Sequence, residues 1–304
     1  MLAKLLRWLI FFQVLLGAGL GYWFATTQQW HPASALLVAM VMPFVSMLLI
    51  DTVSALVSRA PGEPFMHWIR SVVGEFRAGI VVFILRQPWS LGAPTVLPAT
   101  SAGEQRVPVV LVHGYMCNHR IWDDVANALR AQGHAVFAVN LEPLFGSIDR
   151  YAPIVQAAGE ALQAHTGQQK VALVGHSMGG LAIRAWKRAY GTAAVAQVLT
   201  LGTPHAGTVL AKGATTTNGR QMLWQSAWLA ELAAAESEAT RSLVQIAISP
   251  QDNIVCPQRA QVLEGIKPVV FEGIGHVEMC MHRPVIQWVA EQLGALSVKK
   301  ETTP

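Results

Sequence analysis

Charge is scarce in this chain: only 13% of its 304 residues are Asp, Glu, Lys or Arg, and 52% are hydrophobic. Ordinary soluble domains carry about 25% charged residues. So much apolar surface covers the entropy of folding and excludes a disordered chain. The net charge of +4 and pI of about 9.1 are mild. No stripe of Lys or Arg runs along the sequence. A nucleic-acid partner is therefore excluded, and an anionic membrane surface fits better. Cysteine is equally scarce. Cys117, Cys256 and Cys280 make an odd count with no CxxC pair, which excludes a disulfide framework and a structural zinc site. No metal and no cofactor is expected. Cys256 and Cys280 could pair if the fold joined them, but buried reduced thiols are the plainer reading. No feature speaks to oligomeric state.

The mean hydropathy of +0.37 is high, and its source is the N-terminus. Trp8 to Trp30 is a run of 23 residues without a formal charge, and Pro32 to Ile50 adds 19 more. Each run is long enough for ~30 Å of hydrocarbon at ~1.5 Å per residue. Residues 1–58 are expected to form two transmembrane helices joined by the turn Thr26 to Pro32. Trp23 and Trp30 would lie at one interface, and Pro43 is tolerated inside a membrane helix. Lys4 and Arg7 precede the first run, Arg59, Arg70, Arg77 and Arg86 follow the second, and the turn carries neither. That asymmetry predicts an inner or plasma membrane protein with both ends, and the catalytic part, on the cytoplasmic side. The competing reading is a cleaved signal peptide and an exported or periplasmic protein. Gly17-Ala18-Gly19 is a poor cleavage site, and a second full-length run follows it.

Residues 59–106 read as an amphipathic and linker region. Phe65, Ile69, Val72, Phe76, Ile80 and Phe83 recur at helical spacing. The uncharged part, Ala78 to Leu85, is too short to span a membrane. A helix lying on the membrane or docked on the next domain, and a core helix of that domain, are equally good readings. Leu91 to Arg106 is rich in Pro, Ala, Thr and Ser and reads as a linker. The N-terminal region is expected to anchor rather than to join the chemistry, because every catalytic candidate follows Val107.

Residues 107–298 alternate strand and helix. Strands are expected at Val107–Val112, His134–Leu141, Lys170–Gly175, Ala194–Leu201, Leu243–Ser249 and Pro268–Glu272. Helices are expected at Ile121–Ala131, Ala152–His165, Met178–Tyr190 and Arg283–Leu296. The strands are continuous apolar runs, as in a mostly parallel sheet covered by helices on both faces. An insertion of 36 residues, 206–241, breaks the rhythm. It displays Leu223, Trp224, Trp228 and Leu232 with no strand to pack beneath. Trp224 and Trp228 are candidate substrate contacts in a lid or acyl-pocket wall. A helical excursion packed permanently on the domain is the equal alternative.

The strand Lys170–Gly175 runs straight into Gly175-His176-Ser177-Met178-Gly179-Gly180 and a helix. This is G-x-S-x-G in the strand–turn–helix setting that lifts the serine to the carboxyl edge of a sheet. Ser177 is the candidate nucleophile and needs a base. His205, His276 and His282 follow it, and His276, in a loop at the same sheet edge, is the choice. Asp occurs at only five positions, and Asp252 alone follows Ser177, just after a strand. It would fix the tautomer of His276 and stabilise the imidazolium. Glu272 and Glu278 are the fallback acids. Two backbone N–H groups would form an oxyanion hole: Met178, next to the nucleophile, and Tyr115, in the loop after the first strand.

Val110-Leu111-Val112-His113-Gly114-Tyr115, the Ser177 motif and Leu201-Gly202-Thr203-Pro204-His205-Ala206-Gly207-Thr208 together resemble the α/β-hydrolase superfamily, and within it the bacterial lipase and esterase branch. The resemblance covers about Val107 to Leu296. It implies an α/β-hydrolase fold whose first strands are missing, and a lipase or esterase activity. With the apolar N-terminus, the expected protein is a membrane-anchored serine hydrolase. It would cleave carboxylic esters, of lipids in particular, through a Ser-His-Asp triad and an acyl-enzyme. An acyltransferase or thioesterase using the same triad is the alternative. A non-catalytic protein on a hydrolase scaffold is weakened because every expected catalytic position is occupied.

Overall fold

Two long apolar helices lead the chain, and a parallel sheet follows. The structure is a computed structural model describing residues 1–31, 33–90, 92–101 and 106–296. Pro32 of the expected turn, Leu91 and 102–105 of the expected linker, and 297–298 of the expected catalytic region lie outside the described residues.

Helices α1 (Leu2–Thr27) and α2 (Ala33–Ser58) are each 26 residues long and apolar enough to cross a membrane. They pair through small residues one turn apart, Gly17 and Gly21. A Cβ on Gly17 would stand 2.8 Å from the Ala39 Cα. Such close backbone contact is how helices associate where no hydrophobic force drives them. Phe12, Leu16, Leu37 and Leu49 face outward. A helix of a soluble domain would turn those side chains into a core.

Helix α3 (Phe65–Gly79) widens into π-helical turns over Ile80–Arg86. Its buried face is Ser71, Glu75, Ala78 and Val82, while Phe65 is exposed and the rest of the expected aromatic stripe is half-buried. Small residues let this face approach closely, and the large side chains flank the contact. Ala78 and Val82 share a core with Val109 and Leu111 of the sheet, so the segment is a core helix rather than a surface one.

The described residues form one six-stranded sheet of order β2-β1-β3-β4-β5-β6, parallel throughout. Its strands are β1 (Arg106–Val112), β2 (His134–Ala138), β3 (Val171–His176), β4 (Val195–Leu201), β5 (Val244–Ile248) and β6 (Val269–Val270). The interleaved helices are α4 (Asp123–Ala131), α5 (Ala152–Thr166) and α6 (Met178–Tyr190). The short helices α7 (Thr217–Gln221), α8 (Ala227–Ala234) and α9 (Glu238–Arg241) follow in the excursion, and α10 (Arg283–Gly294) closes the fold. Successive strand side chains point to opposite faces. Val110, Val112 and Leu173 meet Val155, Leu162 and Leu181 of α5 and α6 on one side. Val109, Leu111 and Val174 meet Leu129, Val285 and Val289 of α4 and α10 on the other. Both faces are covered, which is why these strands read as unbroken apolar runs. Cys117, Cys256 and Cys280 are buried free thiols.

The later half of the excursion is fastened to the domain. Glu236 lies 2.7 Å from Arg184 and 3.6 Å from Lys187, both on α6, and all three side chains are buried. Lys187 also donates to the Thr240 carbonyl. That half is packed on the domain and matches the helical-excursion reading rather than a free flap. Glu236→Ala leaves two buried cations without their counter-charge and should lower stability by about 3–5 kcal/mol. Urea unfolding of the purified protein measures it.

Candidate active site

Ser177 sits on the turn between β3 and α6 with φ 55° and ψ −131°. A positive φ on a residue with a side chain is strained and persists only where its surroundings enforce it. Here they do: Gly179 lies so close to the Val112 carbonyl that any side chain would overlap it. Gly114 is equally confined, since a Cβ there would stand 2.6 Å from the Ser177 Cβ. The loop bearing Tyr115 is thereby held beside Ser177. His113 fixes that loop by donating from Nδ1 to the Gly114 carbonyl at 2.9 Å and accepting the Leu141 N–H on Nε2 at 3.0 Å. Burial pushes His113 down to about 4, so it remains neutral and structural.

Asp252 follows β5, and His276 follows β6. Their side chains meet at 2.7 Å, Oδ2 to Nδ1, and both are buried. Oδ1 of Asp252 accepts the N–H groups of Ile254 and Val255 at 2.8 and 2.7 Å. These three partners suit an ionised carboxylate. They put the His276 proton on Nδ1 and leave Nε2 as the nitrogen able to accept another. Burial pulls His276 down, but the charge and hydrogen bond of Asp252, with a smaller part from Glu75, outweigh it, and the net shift is upward from 6.5. His205 donates from Nε2 to Thr200 Oγ1, and burial holds its pKa well below the usual range. His282 begins α10. Glu272 stands 3.6 Å from His67, and Glu278 accepts the Gly275 N–H. The structure thus brings Asp252 and His276 together, while His205, Glu272 and Glu278 have other partners.

A cavity of about 430 Å³ opens at Ser177. Tyr115, Leu210, Met222, Ile254 and Val255 line it, and its wall comes from the first half of the excursion, residues 208–222. The structure places the two tryptophans elsewhere. Trp228 donates from its indole to Asp149 at 3.0 Å, lies under the Arg188 guanidinium and packs on the core. Trp224 is half-buried beside Gly207, where its N–H meets the Thr208 carbonyl. Neither lines the cavity; polar partners and the core hold Trp228, while shorter side chains form the wall. Among the described residues no group of three His, Cys, Asp or Glu is gathered as a metal would require.

Three residues at the site were missed by sequence reasoning. Asn253 accepts the His276 N–H at 3.1 Å and donates to Ser54 of α2 at 3.0 Å. Glu75 of α3 accepts the N–H groups of Val277 and Glu278, each at 3.0 Å. The one signal for Glu75 was a lone carboxylate among small residues, Ser71, Gly74, Ala78 and Gly79, at helical spacing.

The sequence profile of the Alpha/beta hydrolase family matches residues 109–272, more than half of the chain. The chain belongs to the alpha/beta hydrolase family. It is 34% identical over 129 residues to a triacylglycerol lipase of Burkholderia plantarii, covering 39% of this chain and 35% of that protein. It is 36% identical over 116 residues to a triacylglycerol lipase of Pseudarthrobacter phenanthrenivorans, covering 35% of each. These matches span about a third of the length of the curated relatives. The solved structure of the Bacillus licheniformis lipase BlEst2 in propeptide form superposes with a TM-score of 0.57 at 17% identity, covering 71% of this chain and 56% of that one. At that identity the likeness is one of fold.

If His276 serves as the base for Ser177, the reactivity of the serine depends on a neutral imidazole. A fluorophosphonate should label the wild-type chain and not Ser177→Ala. Because the His276 pKa is raised, the labelling rate should climb with pH through an apparent pKa above 6.5 and then level off. Gly114→Ala, which forces its loop away from Ser177, should slow labelling by about 10²-fold with the fold kept. Stopped labelling with gel readout measures both.

Proposed function

We propose that this hydrolase is a membrane-anchored serine esterase acting on carboxylic esters of lipids. The observation that carries the reading is the strained Ser177 opening into an apolar cavity beside the Asp252–His276 couple. His276 Nε2 takes the Ser177 proton as Oγ attacks the ester carbonyl. The N–H groups of Tyr115 and Met178 receive the oxyanion, the latter helped by the positive end of the α6 dipole. The alcohol leaves with the proton from His276. Water then attacks the acyl-enzyme by the same route in reverse order.

The membrane part of the reading rests on where the helical pair meets the domain. Leu2 and Leu6, at one end of α1, pack on Leu144 beside Met116, next to the Tyr115 loop. Ser54, near the far end of α2, binds Asn253 beside the acid. The two feet of the hairpin flank the sheet edge that carries Ser177. On this reading the cavity, whose lining includes the exposed Ile254, would open toward the bilayer surface, where acyl chains are plentiful. Arg59, Arg70, Arg77 and Arg86 follow α2 and support a cytoplasmic position for that side.

Ser177→Ala and His276→Ala should each lower ester hydrolysis by about 10⁴-fold or more, and Asp252→Asn by somewhat less. Unchanged turnover in any of the three removes the triad assignment. The cavity wall yields a separate outcome. Met222→Trp should impair long-chain esters far more than short soluble ones, read as kcat/KM across chain lengths. Faster transfer to added alcohol than to water would make the protein an acyltransferase instead. A C-terminal reporter should be active only on the cytoplasmic side; activity that needs export overturns the topology.

A further inference from the structure

The N-terminal region does more than lead to the hydrolase domain. Glu75 of α3 is 3% exposed and lies against the loop that carries His276, about 200 residues later in the chain. Its Oε1 accepts the Val277 N–H and its Oε2 the Glu278 N–H, the two peptide groups that follow the histidine. The contact is reciprocal. A Cβ on Gly275 would stand 2.5 Å from Glu75 Oε2, so the loop keeps a glycine where the carboxylate sits. The Glu278 carboxylate in turn occupies the space over Gly74 on α3. A buried carboxylate that only filled space would be neutral or absent. This one meets two aligned donors, the arrangement that suits its charged form.

The remaining polar groups around His276 are also held. Its N–H binds Asn253, its carbonyl accepts from His176 Nε2 at 2.9 Å, and its Nδ1 binds Asp252. Only Nε2 is left for chemistry. We infer that Glu75 is a positioning residue for His276: its carboxylate clamps the two peptide groups after the histidine and sets a second negative charge behind the imidazole. The inference rests on the esterase reading only in assigning His276 as the base. Asp252 fixes the tautomer, and Glu75 fixes the mount. When the ring takes the Ser177 proton, both carboxylates face the new positive charge.

The titratable groups around Glu75 are His276 and Glu278 on the loop, Cys280 on the turn after it, Cys117 after β1, and Asp51 on α2. Burial pushes the Cys117 thiol up to about 12 and Cys280 well above the usual thiol range, so both stay neutral. Burial also lifts Glu75 to about 7, against the pull of His276 and the two peptide donors, so it is charged on the alkaline side of neutrality. To the extent that Glu75 is charged it raises the His276 pKa, so removing the carboxylate lowers the basicity of His276 and moves the acid limb toward lower pH.

The test compares wild type, Glu75→Gln and Glu75→Asp as the full chain in detergent. It reads the rate of fluorophosphonate labelling of Ser177 from about pH 5 to 9, with KM and kcat on a short soluble ester alongside. Glu75→Gln should slow labelling about tenfold and move the acid limb to lower pH, with KM changed less than about twofold. Glu75→Asp, which keeps the charge, should restore the limb. A wild-type rate and limb in Glu75→Gln overturns the inference. So does equal slowing of both variants with an unmoved limb, which is the signature of a merely structural role. If Glu75→Gln does not fold, Gly275→Ala carries the test, because its methyl displaces the carboxylate. A downward limb supports the inference there, and an unmoved one overturns it. Labelling reads the serine–histidine pair directly, so a chain that labels but hydrolyses no ester sinks the esterase reading and leaves this test standing.

Discussion

An imidazole can serve as a base on only one nitrogen, so something must occupy the other. In this chain that is the 2.7 Å bond from His276 Nδ1 to Asp252 Oδ2. Its two ends sit on loops that leave different strands, β5 and β6, at the far side of the sheet from β2. The bond can form only if those strands lie in register, Ala247 beside Val269 and Ile248 beside Val270. β6 is just two residues long, too short to hold a loop by itself. Much of the surrounding structure makes up for that. Ser249 donates to the Ile274 carbonyl at 2.6 Å, Gln251 accepts the Gly273 N–H at 2.7 Å, and Asn253 accepts that of His276. Side chains of the acid loop thus replace the ladder that a longer strand would have supplied.

What could be read from the residues was what local chain geometry decides. The Ser177 elbow is a strand, a turn and a helix with glycines at fixed offsets, and all of that is contiguous. Asp252 was legible because aspartate is so rare in this chain. The parallel sheet was legible because strands covered on both faces become unbroken apolar runs. Boundaries moved where turns took over: the second strand stops at Ala138 and not at Leu141.

What could not be read depends on distance along the chain. The aromatic stripe of α3 pointed to one face, yet the helix buries the face made of Ser71, Glu75 and Ala78. Periodicity counts large apolar residues, and close helix packing selects small ones. Trp228 looked like a substrate contact because nothing nearby in sequence explained it. Its partner, Asp149, lies 79 residues earlier. The excursion likewise divides according to partners invisible in sequence. Its first half lines the cavity, and its second half is bound through Glu236 to Arg184 and Lys187.

The span between Glu75 and Val277 is 202 residues. Ribosomes add roughly 5–20 residues per second, so α3 emerges roughly 10 to 40 s before the peptide groups it will bind. Through that interval the carboxylate has no loop to hold. The helical hairpin is complete while the sheet is still being made. Asp252 and His276 follow Ser177 in the chain, so the turn that carries the serine is made before the pair joined by the 2.7 Å bond. Until the β5 and β6 loops are made, the Ser177 turn stands without that pair.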